Sequence, residues 1–121
     1  MTITGTVTLG NNVHIGVGAC IFGSEGVFIG DDTSISPGAK IFTGTYDVET
    51  GHLANPQLKN KVYAKGPVHI GSRCIIGANS VVLPCSIEDD VLVGALSLVK
   101  EDIPIYSIAT GIPATVKRRT S

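Results

Sequence analysis

The sequence predicts an all-β domain, a single-stranded parallel β-helix whose short strands wind around a triangular prism. Three observations support this fold class. Aliphatic residues recur at a near-constant spacing of six, a small or β-branched residue lies two positions before nearly every one of them, and a glycine often follows. Side chains of a strand alternate between its faces, so two inward positions two residues apart describe one short strand before a turn. Three such units make one coil of about eighteen residues.

The aliphatic positions fall into three columns when every third unit is stacked. The columns are Ile3, Ile21, Ile41, Val82 and Val99; Leu9, Ile29, Ile70 and Ile87; and Ile15, Ile35, Ile76 and Val93. We therefore expect coils over residues 1–42 and 68–100. The glycines that follow the aliphatic residues are expected to supply positive φ angles at tight corners. Each strand then bonds to the coils above and below, so that backbone groups stay unpaired only at the two ends.

Two segments depart from the six-residue period. Residues 43–67 are polar and rich in glycine and proline, which predicts one long loop extruded from the coil. A loop of this length inside a compact domain usually carries function. After Val99 the period is lost again, so residues 101–121 are expected to form a C-terminal tail that runs outside the coils and caps their lower end. The whole chain, residues 1–121, is interpreted as one domain.

Composition restricts the class of protein. The chain has 121 residues, of which 43% are hydrophobic and 16% charged, as expected for one packed domain. A net charge of −1 argues against nucleic acid or an anionic membrane as the main partner. No apolar run approaches the roughly 20 residues of a membrane span, and no targeting pattern is present, so the chain is interpreted as cytoplasmic. Cys74 and Cys85 fall on inward positions and are expected in the core.

Three stretches carry a resemblance to a known family. They are GPVHIGSRCIIGANSVVLP at residues 66–84, VLVGALSLVKEDIP at residues 91–104 and YSIATGIPATVKRR at residues 106–119. These stretches resemble the last coils and the closing motif of the hexapeptide-repeat acyltransferases, within them the acetyl-CoA-dependent sugar O-acetyltransferases related to the galactoside and maltose enzymes. The resemblance implies a left-handed coil and a homotrimer with active sites between neighbouring subunits. It also implies acetyl-CoA as co-substrate and, as acceptor, a sugar or glycan hydroxyl of a polysaccharide or lipopolysaccharide precursor.

The resemblance places the catalytic residues in the loop, where the family uses a histidine as general base. Alignment of residues 37–47 with the family's loop entry puts Tyr46 at that position. A tyrosine titrates near 10 when unperturbed and is a poor base at neutral pH. His52 is the only histidine of the loop, which makes it the candidate base. Asp47 is a candidate to orient it or to bind the sugar, and Asn55 is a candidate to bind the acceptor.

For acetyl-CoA, the resemblance carries over to four positions. Ala78 and Ala95 would line the pantetheine groove through their backbone groups. Lys100 and Arg118 would lie near the phosphates, which cations bind by charge and hydrogen bonding. No metal is expected.

Two alternatives remain open at this point. Tyr46 at the usual histidine position is compatible with a catalytically impaired member of the family that acts as a binding or assembly subunit. The zinc-dependent γ-type carbonic anhydrases share the β-helix and use three histidines, and this chain has three. Zinc ligands must converge on one ion, however, whereas His14 and His69 are predicted on different faces and about two coils apart.

Overall fold

The computed structural model describes residues 1–46 and 63–120, and every regular element within these ranges is a β-strand. In chain order the strands are β1 (Thr2–Leu9), β2 (His14–Ile15), β3 (Cys20–Ile29), β4 (Ser34–Ile35), β5 (Lys40–Phe42), β6 (Gly44–Tyr46), β7 (Tyr63–Lys65), β8 (Val68–Ile70), β9 (Ile75–Ile76), β10 (Val81–Val82), β11 (Ser86–Ile87), β12 (Leu92–Val93), β13 (Leu98–Val99), β14 (Ser107–Gly111) and β15 (Ala114–Arg118). Within the same ranges, no helix has the length and apolar character that crossing a membrane requires.

Parallel pairing arranges the strands as three faces of a prism. The first face stacks residues 2–5 of β1, residues 20–22 of β3, β5, β10 and β13. The second face stacks residues 7–9 of β1, residues 27–29 of β3, β8, β11 and the single bridge residue Ile103. The third face stacks β2, β4, β9, β12 and β14. Because β1 and β3 continue around the corner between the first two faces, those faces form one seven-stranded sheet.

The predicted columns are confirmed on all three faces. Each aliphatic residue pairs with the next member of its own column: Ile3 with Ile21 and onward to Val99, Leu9 with Ile29 and onward to Ile87, and Ile15 with Ile35 and onward to Val93. The inner members are buried, and Ile21, Ile41 and Val82 are 0% exposed. Burying a large aliphatic side chain contributes about 1.5–3 kcal/mol, so the columns form the hydrophobic core.

The glycines differ from expectation in their physical role. The six that follow aliphatic residues do not have positive φ; they are Gly10, Gly16, Gly30, Gly71, Gly77 and Gly94. Each is instead needed because the next coil lies against it. A Cβ on Gly30 would stand 2.6 Å from the Ser72 hydroxyl oxygen. At the corner between the second and third faces the positive φ falls two residues later, on a column of Asn12, Asp32, Arg73 and Asp90.

That column bonds along its own length. The side-chain amide of Asn12 donates to Asp32 at 2.9 Å, and Arg73 Nε donates to Asp90 at 2.8 Å. The hydrogen bond from Arg73 holds the pKa of the Asp90 carboxyl below its usual value, and the charge of Arg73 adds to this effect. Asn and Asp tolerate the left-handed region better than most residues, which fits three of the four members.

Buried hydroxyl and thiol groups connect the coils inside the prism. The Ser80 hydroxyl donates to the Gly94 carbonyl at 2.8 Å and accepts from the Ser97 amide at 3.2 Å. Thr33 makes the equivalent pair of bonds with Gly71 and Cys74. The predicted burial of Cys74 and Cys85 is confirmed, and burial raises the pKa of both thiols, that of Cys85 to about 12. The small inward residues therefore satisfy the backbone where the chain turns.

The C-terminal segment leaves the coil later than the sequence predicts. Ile103 bridges to Ile87 on the second face, and β14 pairs in parallel with β12 on the third, so residues 103–111 complete a fifth coil. The period is hidden because Ile103 follows Val99 by four positions instead of six, and because the inward residue of β14 is the small Ala109. Only β15 turns back, antiparallel to β14, and Ala114 packs there against the core.

Candidate active site

A buried threonine, Thr43, lies where the long loop leaves the coil. Thr43 is 1% exposed, and its hydroxyl donates to the Phe22 carbonyl at 2.8 Å. The same oxygen accepts the Glu25 amide at 3.2 Å and lies 3.1 Å from the Ser24 hydroxyl. The Thr43 carbonyl accepts the amide of Gly66 at 2.9 Å, which fixes the returning chain. Both ends of the loop are therefore anchored to the second coil by a residue that belongs to the core rather than to the loop.

Beyond Thr43 the two chain ends form a stalk, defined as β6 paired antiparallel with β7. Lys65 Nζ lies 3.6 Å from the Glu25 carboxylate, which ties the stalk to β3. This ion pair is exposed and contributes little to stability, so the threonine anchor carries most of the constraint. The stalk sets the direction in which the loop starts at the corner between the first and second faces.

We predict that Thr43→Val destabilises the protein by about 1–3 kcal/mol, because valine keeps the shape but leaves the Glu25 amide without its acceptor and the Phe22 carbonyl with only the backbone amide of residue 43 as donor. Urea unfolding measures the loss. Amide hydrogen exchange at Glu25 and Gly66 should accelerate more than exchange in the coil. Thr4→Val, at an exposed position on β1, is the matched control and should change neither quantity. Equal losses in the two variants would contradict the anchor.

The structure describes only part of the predicted catalytic set. Tyr46 is the last residue of β6, and its Cα is paired with that of Tyr63 on β7, so it stands on the stalk. Asp47, His52 and Asn55 lie outside the described residues. The other two histidines are exposed strand residues as predicted: His14 is on β2 of the third face, and His69 is on β8 of the second. They lie two coils apart, which does not provide a shared zinc site.

The four predicted acetyl-CoA positions are spread over the three corners of the prism. Ala78 and Ala95 are neighbours in one column between the third and first faces, where the Leu96 amide donates to the Ala78 carbonyl at 2.9 Å. Lys100 follows β13, at the corner between the first and second faces, and lines a cavity of about 110 Å³ with Glu101, Asp102 and Pro113. The structure therefore brings the two alanines together and places Lys100 apart from them.

Arg118 is placed by the last hairpin. It pairs with Ser107 at the start of β14, whereas Ala114 pairs with Gly111 at the opposite end of that strand. Arg118 thus lies near the corner between the second and third faces, with its guanidinium carbon 5.9 Å from the centre of the Tyr106 ring. The adjacent Arg119 is closer to that ring, at 4.9 Å, and donates to the Asp90 carbonyl at 3.0 Å. About four residue rises, or roughly 13 Å, separate the two ends of β14.

Sequence reasoning missed two features around the loop. One is the Thr43 anchor, which the period hid because Thr43 directly follows the last residue of a coil. The other is a pair of aromatic stacks formed by outward residues, Phe22 on Phe42 beside the loop exit and Phe28 on His69 on the second face. The second pair was detectable in principle, because these residues precede Ile29 and Ile70 of the same predicted column.

Comparisons with known proteins agree with this architecture. The family model for the hexapeptide repeat of succinyl-transferase matches residues 6–41 and 67–96, more than half of the chain. The dTDP-4-amino-4,6-dideoxy-D-glucose acyltransferase of Escherichia coli is 34% identical over 113 residues, which cover 91% of this chain and 59% of the relative. The galactoside O-acetyltransferase of Lactococcus lactis is 37% identical over 116 residues, which cover 91% and 54% respectively.

A solved structure gives the same result in three dimensions. AntD, an N-acyltransferase from Bacillus cereus in complex with dTDP and 3-hydroxybutyryl-CoA, matches with a TM-score of 0.86 at 28% identity, covering 98% of this chain and 65% of that one. Fold and comparisons together define a parallel β-helix protein assembled from six-residue units. The chain belongs to the hexapeptide-repeat family of acyltransferases, and the left-handed coil that the resemblance implies is confirmed. It spans a little more than half of the length of the curated relatives it matches.

Proposed function

We propose that the protein is an acetyl-CoA-dependent O-acetyltransferase that modifies a sugar hydroxyl in a polysaccharide or lipopolysaccharide precursor. The observation that carries this proposal is the single long insertion into the six-residue repeat, anchored at Thr43, whose sequence contains His52, whereas His14 and His69 lie on strands of the coil. The identity to a galactoside O-acetyltransferase supports the choice of oxygen as the acceptor atom.

In the proposed reaction, His52 takes the proton of the sugar hydroxyl while its oxygen attacks the thioester carbonyl. A carbon–oxygen bond forms, the carbon–sulfur bond breaks, and the proton passes to the departing thiolate of coenzyme A. Asp47 orients His52, Tyr46 lies at the entrance to the loop, and Asn55 binds the acceptor. Ala78 and Ala95 contact the pantetheine arm, and Lys100 and Arg118 neutralise the phosphates.

A homotrimer would reconcile these positions with the prism. Within one chain the alanine column lies at the corner opposite the second face, on whose border the loop begins. Two neighbouring chains that face each other bring the loop of one beside the alanine column of the other. We therefore propose that each active site is shared between two subunits, in agreement with what the resemblance implies.

The acceptor is proposed to be carried on a nucleotide. The relatives support this, since the Escherichia coli protein is named for a dTDP-linked sugar and AntD was solved with dTDP bound. AntD is named an N-acyltransferase and the Escherichia coli relative an acyltransferase, so the experiment below tests both the acceptor atom and the acyl group. A family member without turnover is the second candidate, favoured by Tyr46 at the usual histidine position.

We predict that free coenzyme A accumulates when the protein receives acetyl-CoA with a panel of glycans and nucleotide-linked sugars. A thiol reagent measures the release, and mass spectrometry of the acceptor identifies an added acetyl group on oxygen or nitrogen. Reactions without acceptor give the background hydrolysis. Binding of coenzyme A without turnover on the whole panel would favour the second candidate and contradict the first.

A further inference from the structure

An aromatic stack lies exposed on the second face. The outward residues of four successive coils on this face are Thr8, Phe28, His69 and Ser86, each paired with the next. The rings of Phe28 and His69 lie face to face, with their centres 4.8 Å apart and their planes 8° from parallel. Phe28 is 40% exposed, and His69 is exposed as well. The stack on the first face, Phe22 on Phe42, has similar geometry but is half-buried.

Small residues surround the two rings and leave room for a ligand. Thr8 lies above Phe28 and Ser86 lies below His69, and each carries a hydroxyl in place of a ring. The adjoining corner consists of Gly10, Gly30 and Gly71, and a shallow depression of about 350 Å³ runs over these glycines and both rings. A third planar group can therefore extend the stack with hydroxyl groups at its edge.

The stack also adjoins the loop. A Cβ on Gly26 would stand 3.2 Å from the Phe28 ring, so the ring leans over the segment that follows Glu25. Glu25 pairs with Lys65 of the stalk, and Lys65 is separated from His69 by only three residues. The side chain of Lys65 is 64% exposed, so its ammonium group, which pairs with Glu25 at the base of the stalk, keeps part of its surface open to a ligand.

These features select one ligand chemistry. Bases of nucleotides stack on exposed aromatic rings, and their polar edges bond to hydroxyl and imidazole groups. A sugar ring is not planar and does not extend a stack of two parallel aromatic rings, so a base fits this surface better than a sugar. The same chemistry could come from the adenine of coenzyme A. The alanine column proposed for the pantetheine arm lies across the prism from this face, but Lys100 and Arg118, proposed for the phosphates, lie at its two borders. Binding of coenzyme A is therefore measured beside that of the nucleotides. A base on the acceptor, next to the loop, fits the position.

We infer that Phe28 and His69 form the binding platform for the base of a nucleotide-linked acceptor, an assignment that rests on the proposed function. Lys65 faces the phosphates of the same acceptor. The stack thereby selects acceptors activated on a nucleotide over free glycans. It acts in positioning and takes no part in the chemical step.

Calorimetry tests this platform on the full chain, with UDP, dTDP and ADP as probes and with inorganic pyrophosphate and glucose 1-phosphate as probes without a base. The intact protein should bind at least one nucleoside diphosphate more tightly than either base-free probe. Phe28→Leu and His69→Ala should each weaken that binding by about 10-fold or more. Phe22→Leu removes a ring from the other stack and should leave the binding unchanged, and unchanged binding of coenzyme A shows that each variant is folded.

Three results would overturn the inference. They are equal binding of base-free probes, unchanged nucleotide binding in both stack variants, and loss of coenzyme A binding alone, which would assign the rings to adenine. Failure of the proposed function looks different. If the protein binds dTDP or UDP through the stack but releases no coenzyme A, the binding platform is supported and the proposed reaction is contradicted. If it acetylates free glycans but binds no nucleotide, the reaction is supported and the platform is contradicted.

Discussion

Replacing His52 by alanine is expected to slow acetyl transfer by about 10²–10⁴-fold, the usual contribution of a positioned general base. Without the imidazole, the sugar hydroxyl must lose its proton to water as it attacks the thioester. Binding of coenzyme A should not change, because the proposed contacts of coenzyme A lie on Ala78, Ala95, Lys100 and Arg118. The rate of coenzyme A release at saturating substrate, together with calorimetry, separates these two effects.

Two variants serve as controls for the loop histidine. His14→Ala removes an exposed histidine from β2 and should keep full activity. Tyr46→Phe removes only a hydroxyl and should cost much less than His52→Ala if the histidine is the base. If Tyr46→Phe abolishes turnover while His52→Ala leaves most of it, the roles are reversed. Similar activity in all three variants would show that the loop does not supply the base.

Gly77→Ala is expected to cause a large loss of stability by adding a single methyl group inside the coil. A Cβ at this position would stand 2.5 Å from the Ala95 nitrogen and 2.6 Å from both the Gly94 carbon and the Val93 oxygen. All three are backbone atoms held by pairing between coils, so they cannot turn aside as a side chain would. We expect a loss of about 3 kcal/mol or more, at the upper end of overpacking effects. Thermal melting should fall by more than about 10 °C.

Gly66→Ala provides the matched comparison for Gly77→Ala. The nearest atom to a Cβ there is the Pro84 Cβ at 3.7 Å, an ordinary contact, and the φ of Gly66 is not in the positive region. The same chemical change should therefore alter stability by less than about 1 kcal/mol. Melting of both variants at one protein concentration gives the comparison, and equal shifts would show that close approach of the coils is not what selects glycine.

The part of the fold that repeats was predictable from the chain. The rule that side chains alternate in a strand acts locally, so Ile21, Ile41 and Val82 could be assigned to one column from their spacing alone. The long insertion was equally visible as a loss of that spacing. The extra coil through Ile103 and Ala109 was not, because its turns are shorter and its inward residue is small. Pairing with β11 and β12 places those residues, and sequence spacing does not record such pairing.

The candidate site likewise has residues that the sequence could indicate and contacts that only the fold shows. The resemblance names His52, Tyr46 and Asp47 for the loop and Ala78 and Ala95 for the groove, because motifs persist in sequence. The Thr43 anchor and the Phe28–His69 stack depend on residues 18 to 41 positions apart in the chain, as with Thr43 and Glu25 or Phe28 and His69. Local sequence patterns cannot predict contacts between residues this far apart unless the number of residues in each intervening turn is known.

By itself, the sequence determined that this chain is a three-sided parallel β-helix interrupted by one long insertion, since a six-residue repeat with two inward positions is typical of that fold. Only the tertiary structure decided why glycine stands at each corner, where the last coil ends, and which outward side chains meet. The physical reason is that coils stack through backbone atoms less than 5 Å apart. This close approach determines how one turn packs on the next. It depends on neighbouring coils together and cannot be inferred from a single repeat.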